Sequence, residues 1–142
     1  MKEYNYRVCK SSWGINITVS ADCSLYNDTD KNALKISDEL WLKKGEEPYF
    51  KNDRTNDIDF DYFVKGLSLA AESIAKKSKY EKTLITVYGV NFGFCDFQNE
   101  GLTAAIIEWA AEIFGFELPP IKVEFDKNKN RYIYDFSNFN RG

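Results

Sequence analysis

Apolar and polar residues alternate from the start of the chain. Trp13, Ile15, Ile17 and Val19 fall at every second position, with Gly14, Asn16 and Thr18 between them. A period of two marks a strand with one buried face. Tyr4 to Cys9 alternates as well, so a hairpin through Lys10-Ser11-Ser12-Trp13-Gly14 is predicted. Leu34, Ile36, Leu40 and Leu42 hold even positions and predict one further strand over 33–44. Residues 45–57 are polar, contain Gly45, Pro48 and Asn52, and read as a loop.

The period then changes to that of a helix. Phe60, Phe63, Val64, Leu67, Ala71, Ile74 and Ala75 share one face over 58–78. Asn56 or Asp57 is placed to cap its start. Asp59 and Asp61 sit near the first turn and Lys76, Lys77 and Lys79 near the last, so both ends complement the helix dipole. Residues 83–90 are β-branched and alternating, and predict a strand. Leu102, Ala105, Ile106, Trp109, Ala110 and Ile113 form a second helical stripe, widened by Ala104, Ile107 and Ala111. Only Thr103, Glu108 and Glu112 are left to meet water, so this helix is expected to be buried on most of its circumference. Asp96 or Asn99 can cap it, with Glu100 in its first turn. Gly115 ends it and Pro119-Pro120 prevents its resumption. Ile121, Val123 and Phe125, a turn at 126–130, then Tyr132, Tyr134 and Phe136 predict a closing hairpin. The fold class is α+β, one domain over 1–142, in the order β-β-β-α-β-α-β-β. A mostly antiparallel sheet carries two helices on one face, and the strand between the helices is free to pair parallel to a neighbour.

With 142 residues and 44% hydrophobic content, the chain can bury a core without staples. Eleven Phe, nine Tyr and three Trp suit a bulky core or an aromatic binding surface. The net charge of −3 argues against a general nucleic-acid binder, which needs a basic stripe. The charge is uneven. Residues 20–61 hold eleven acids against six bases, and residues 83–121 hold five acids and no base. If these stretches meet in space, their field would steer a basic partner.

Cys9, Cys23 and Cys95 fit neither a disulfide framework nor a zinc pattern, and suggest reduced thiols. No apolar run reaches the length of a membrane span, and the first ten residues have no signal-like core. A cytoplasmic location is expected. The chain has no histidine, which removes Ser-His-Asp and Cys-His nucleophiles and His-bearing metal sites. No Walker loop and no G-x-G-x-x-G is present. Neither a cofactor nor a metal is expected, and no catalytic set can be named. Asp57, Asp59 and Asp61 imitate a calcium loop for three positions, but Tyr62 stands where glycine is needed and Ser68 where glutamate is needed. Carboxylates, lysine or a lone thiol remain as catalysts. A small enzyme using Cys95 or the Asp96/Glu100 pair is therefore one reading, and an accessory subunit of a larger assembly is another.

Residues 95–136 carry Asp96-Phe97-Gln98, Glu100-Gly101-Leu102, Trp109 and Arg131-Tyr132. This stretch resembles the C-terminal half of small bacterial immunity proteins from polymorphic-toxin and contact-dependent inhibition systems. The resemblance implies a non-enzymatic antitoxin that covers a cognate toxin domain. A basic nuclease toxin would suit the acidic surface, with acids for association rate and aromatic anchors for affinity. The candidate partner-binding residues are Asp53, Asp57, Asp59 and Asp61 before the first helix, with Asp96 and Glu100 before the second.

Overall fold

The structure is a computed structural model that describes residues 2–47, 49–93 and 95–139. Pro48, one of the turn residues of the expected loop, and Phe94 lie outside the described residues. Strands β1 (Lys2–Cys9) and β2 (Gly14–Leu25) form the expected hairpin. Strand β3 (Leu34–Ser37) pairs antiparallel with β4 (Leu40–Lys44). Strand β5 (Thr83–Phe92) enters between the two hairpins, antiparallel to β2 and parallel to β4. The sheet order is β1-β2-β5-β4-β3. Two strands, β6 (Lys122–Asp126) and β7 (Arg131–Asp135), make a separate hairpin.

The α+β class and the mostly antiparallel sheet are as the sequence suggests, and the strand between the helices does pair in parallel. One strand more is present, because residues 33–44 turn back on themselves. A two-residue turn pairing Ser37 with Leu40 reverses the even–odd phase. The register shift between Lys35 and Ser37 reverses it again, so that Leu34 faces Leu42. Even positions thus keep one face through the turn. A straight strand and this hairpin write the same pattern.

Helices α1 (Asp61–Lys77) and α2 (Glu100–Phe114) cover one face of the sheet. One apolar cluster joins Ile15, Ile17 and Val19 of β2, Ile85 and Val87 of β5, Leu40 and Leu42 of β4, and both helices. Trp109 is fully buried, as its stripe predicts, and its Nε1 donates to the Lys2 carbonyl at 3.0 Å. Thr103 does not meet water as expected. It is buried at the helix–helix contact, where its hydroxyl donates to the Tyr62 carbonyl at 2.8 Å. Gly66 makes that contact possible: a methyl group there would stand 2.5 Å from Ile106 Cγ2 and 2.7 Å from the Thr103 carbonyl oxygen.

The helix starts differ from expectation. Neither Asn56 nor Asp57 caps α1. Both belong to a short 3-10 turn before it, and Asp59 instead accepts from the Asp61 amide at 2.9 Å. At α2, Asn99 takes the cap position without a side-chain bond, and Asp96 does not cap. Its end is as expected: Gly115 adopts φ 78°, the left-handed form that glycine reaches without a Cβ clash, and its amide bonds back to Ala111.

The closing hairpin is held by side chains that substitute for strand partners. Gln98 donates to the Tyr132 carbonyl at 2.6 Å and accepts from the Tyr132 amide at 2.9 Å. The Tyr132 hydroxyl, buried, accepts from the Lys10 amide and donates to the Trp13 carbonyl, bridging to the β1–β2 turn. The Tyr6 and Tyr134 hydroxyls meet at 2.9 Å.

Candidate functional site

The face of the sheet opposite the helices is polar. Asn16 and Thr18 lie between the buried residues of β2, and each accepts from the Asn5 amide group on β1. Asn91 of β5 is paired with Thr18 from the other side. No helix covers this face among the described residues. Residues 45–47 and 49–57 cover only part of it, running along β5 through Gly45 N–H to Val87, Tyr49 N–H to Tyr88 and Arg54 N–H to Val90. Gly89 lets them come close, since a Cβ there would stand 2.6 Å from an Asp53 oxygen and 2.9 Å from the Phe50 ring. The Tyr49 hydroxyl donates to Glu3 across the sheet at 3.0 Å. That bond, with the carboxylate's charge, raises the Tyr49 phenol's pKa.

Beside this segment opens a cleft of about 640 Å³. Asn16, Thr18 and Asn91 form its floor, Asp53 and Arg54 one wall, and Phe92 and Gly93 the other. The loop carrying Asp96 adjoins it. Its backbone is pinned to β2 by Asn16 N–H to the Asp96 carbonyl at 2.8 Å, and the Asp96 carboxylate lies against Gly93. Parts of the two acidic stretches therefore adjoin at this cleft, although Asp53 is the one acid among its lining residues and Arg54 lies beside it.

The six acids are not equivalent. Asp53 borders the cleft but is committed to the fold, accepting from the Thr55 amide at 2.8 Å and the Val90 amide at 3.2 Å. Asp57 is exposed and follows Arg54 at 3.8 Å, while the Arg54 guanidinium sits 5.8 Å over the Phe92 ring. Asp96 carries a carboxylate with no hydrogen bond to another described residue. Asp59 and Asp61 belong to the head of α1, and no contact among the described residues ties them to the cleft. Glu100 faces the other way: it binds the Arg131 guanidinium and accepts from Gln98 at 3.3 Å. The pieces of the C-terminal resemblance thus close on one another, Gln98 on Tyr132 and Glu100 on Arg131.

Compared with protein families, curated proteins and solved structures, the chain matches none.

Cys95 is exposed on the loop before α2 and has no hydrogen-bonded base among the described residues. No three His, Cys, Asp or Glu side chains gather as metal ligands among them, and no helix is long and apolar enough to cross a membrane. A second cleft of about 800 Å³ lies on the same face towards β4, with Lys31, Lys43 and Lys44 facing Asp30, Glu46 and Glu47. Lys43 is paired with Asp30 at 3.3 Å, so its charges are largely balanced from within. What the sequence reading missed was the floor. Asn16, Thr18 and Asn91 look like ordinary solvent positions of alternating strands. Their one signal was a polar set on two adjacent strands, β2 and β5, visible only once the strand order is known.

Proposed function

We propose that this protein is a non-enzymatic antitoxin that binds a basic toxin domain, most simply a nuclease, and covers its active site with the uncovered polar face of the sheet. The observation that carries this reading is that two acidic stretches, distant in sequence, come together around one open cleft: Asp53 and Arg54 line it, Asp57 lies 3.8 Å from that Arg54, and the Asp96 loop adjoins it at Asn16 and Gly93. The resemblance of residues 95–136 to immunity proteins supports it. Phe92, stacked on Phe97 with centroids 3.9 Å apart, supplies an aromatic anchor in the cleft wall.

The test is the association rate, by surface plasmon resonance, with the toxin domain encoded beside this protein. Raising salt from about 50 to about 500 mM shortens the Debye length from about 14 to about 4 Å. Association should slow about tenfold or more, while dissociation changes little. Exchanging Asp57 and Asp96 together for Asn should slow association at low salt and flatten the salt dependence. The pair Asp59→Asn and Asp61→Asn, at the head of α1, should do so less. Wild-type rates in the Asp57/Asp96 variant at every salt concentration would remove this face from the interaction.

A further inference from the structure

We propose that the chain forms a twofold dimer by antiparallel pairing of β1 with β1 of a second copy, centred on Asn5, with Glu3 of each copy opposite Arg7 of the other. Strand β1 ends the sheet and pairs only with β2. It is eight residues long, in unbroken register, with no bulge, Pro or Gly. The other edge is different in kind. Strand β3 has four residues and an irregular register, which blunts it against pairing. The β7 edge is partly occupied at Tyr132, whose amide and carbonyl both bond to Gln98. A long, regular, unpaired edge accepts another strand unless something prevents it.

Backbone geometry fixes which groups are free. In an antiparallel ladder, alternate residues turn both their amide and carbonyl away from the partner strand. The Lys2 carbonyl, which accepts from Trp109, is such a group, and the alternation continues through Tyr4, Tyr6 and Val8. No backbone group from Glu3 to Cys9 bonds outside the β1–β2 ladder to another described residue. A copy centred on Asn5 places Tyr4 opposite Tyr6 with these groups facing each other. Beside the edge runs a groove of about 310 Å³ between Tyr6 and Val8 on one side and Ile121 and Val123 on the other, room for the partner's side chains.

Charge selects the occupant. Glu3, Asn5 and Arg7 share the outer face of β1, and charged residues on an edge normally repel a foreign strand. Here their order is self-complementary. In the Asn5-centred register Glu3 meets Arg7 twice, by symmetry. Centred on Tyr6, Glu3 would meet Cys9 and Arg7 would meet Asn5. Centred on Tyr4, Arg7 would face no strand residue. Registers slipped by one would oppose residues from different faces. Arg7 makes no ion pair with another described residue, and Glu3 holds only the Tyr49 hydroxyl, which leaves its carboxylate able to accept more. Edge pairing extends the sheet sideways and leaves both outer clefts open.

Sedimentation equilibrium on the full chain should give twice the 16.5 kDa chain mass at tens of micromolar. Arg7→Glu should shift the species to monomer, weakening association tenfold or more, as should Glu3→Arg. The double exchange Glu3→Arg/Arg7→Glu should restore the dimer, because the pairs re-form with reversed sign. Both positions are exposed, and circular dichroism would show that each variant is folded. A wild-type chain that stays monomeric overturns the proposal, even if the edge is later found to take a strand from another protein. So does a dimer that Arg7→Glu leaves intact, or one that the double exchange fails to restore.

Discussion

On β2, Ile15, Ile17 and Val19 are covered by the helices, while Asn16 and Thr18, one residue away, stand on a face that no helix among the described residues covers. Both sets belong to one strand and share its backbone bonds. The inner set is fixed by packing, since each large apolar side chain there contributes roughly 1.5–3 kcal/mol through burial. The outer set contributes little of that kind, and what it holds is polar, hydrogen-bonded across strands and bordered by acids. Ser20 is the exception that marks the boundary. It points outward in sequence phase but is fully buried opposite Gly89, where residues 49–53 pack, and its hydroxyl has no hydrogen-bond partner among the described residues. The uncovered face is where binding can be added without loss of core.

That contrast can be broken most severely at Trp109. Trp109→Ala removes the largest fully buried side chain and the bond to Lys2, and should cost about 3–5 kcal/mol. A thermal melt should fall by roughly 10–20 °C. A melt unchanged within a few degrees would mean that the helix face does not carry the fold.

A smaller effect, with a definite sign, is expected at the margin of the inner face. Glu108 is half-buried, and burial raises its carboxyl pKa, partly offset by the Tyr4 hydroxyl donating to it at 2.6 Å. The same neighbourhood pushes the Tyr4 phenol up as well, by burial and then by the bond to Glu108. A carboxyl that holds its proton more tightly folded than unfolded makes stability fall as pH rises from the ordinary glutamate range through the raised value. Glu108→Gln keeps an oxygen for Tyr4 and removes the charge. The variant should melt slightly higher than the wild type at about pH 8 and no higher at about pH 3, where both states are protonated. A melting difference that does not vary with pH would show that Glu108 is not penalised by burial.

The smallest effect should come from the outer face. Asn91→Ala should change stability by no more than about 0.5 kcal/mol, as surface exchanges usually do. The same variant sharpens the functional reading, because a cleft floor that binds a partner should alter dissociation from the toxin domain while leaving the melt unmoved. A large loss of stability would show that the outer face is structural after all.

Much of this fold was legible because each element carries its own period. Residues 13–19 and 4–9 alternate and pair, residues 60–75 and 102–113 follow helical spacing, and Gly115 stops the second helix where glycine chemistry says it should. The extra hairpin at 34–44 was not legible, since a turn and a bulge together restore the phase of a straight strand. Thr103 read as solvent-facing because its environment is set by Gly66 on the other helix, thirty-seven positions away. The candidate site shows the same division. The sequence by itself determined the acids, the lack of histidine and the alternation that places Asn16 and Thr18 on one side. Which acids stand together was decided only by tertiary structure. Residues 49–57 lie along β5 and the Asp96 loop is pinned to β2, so Asp53 lines a cleft that the Asp96 loop adjoins, while Glu100, four residues after Asp96, is turned to Arg131. Local periods are written by neighbours a few residues apart. Convergence at a site depends on backbone bonds between strands, and nothing in a one-dimensional pattern specifies those pairings.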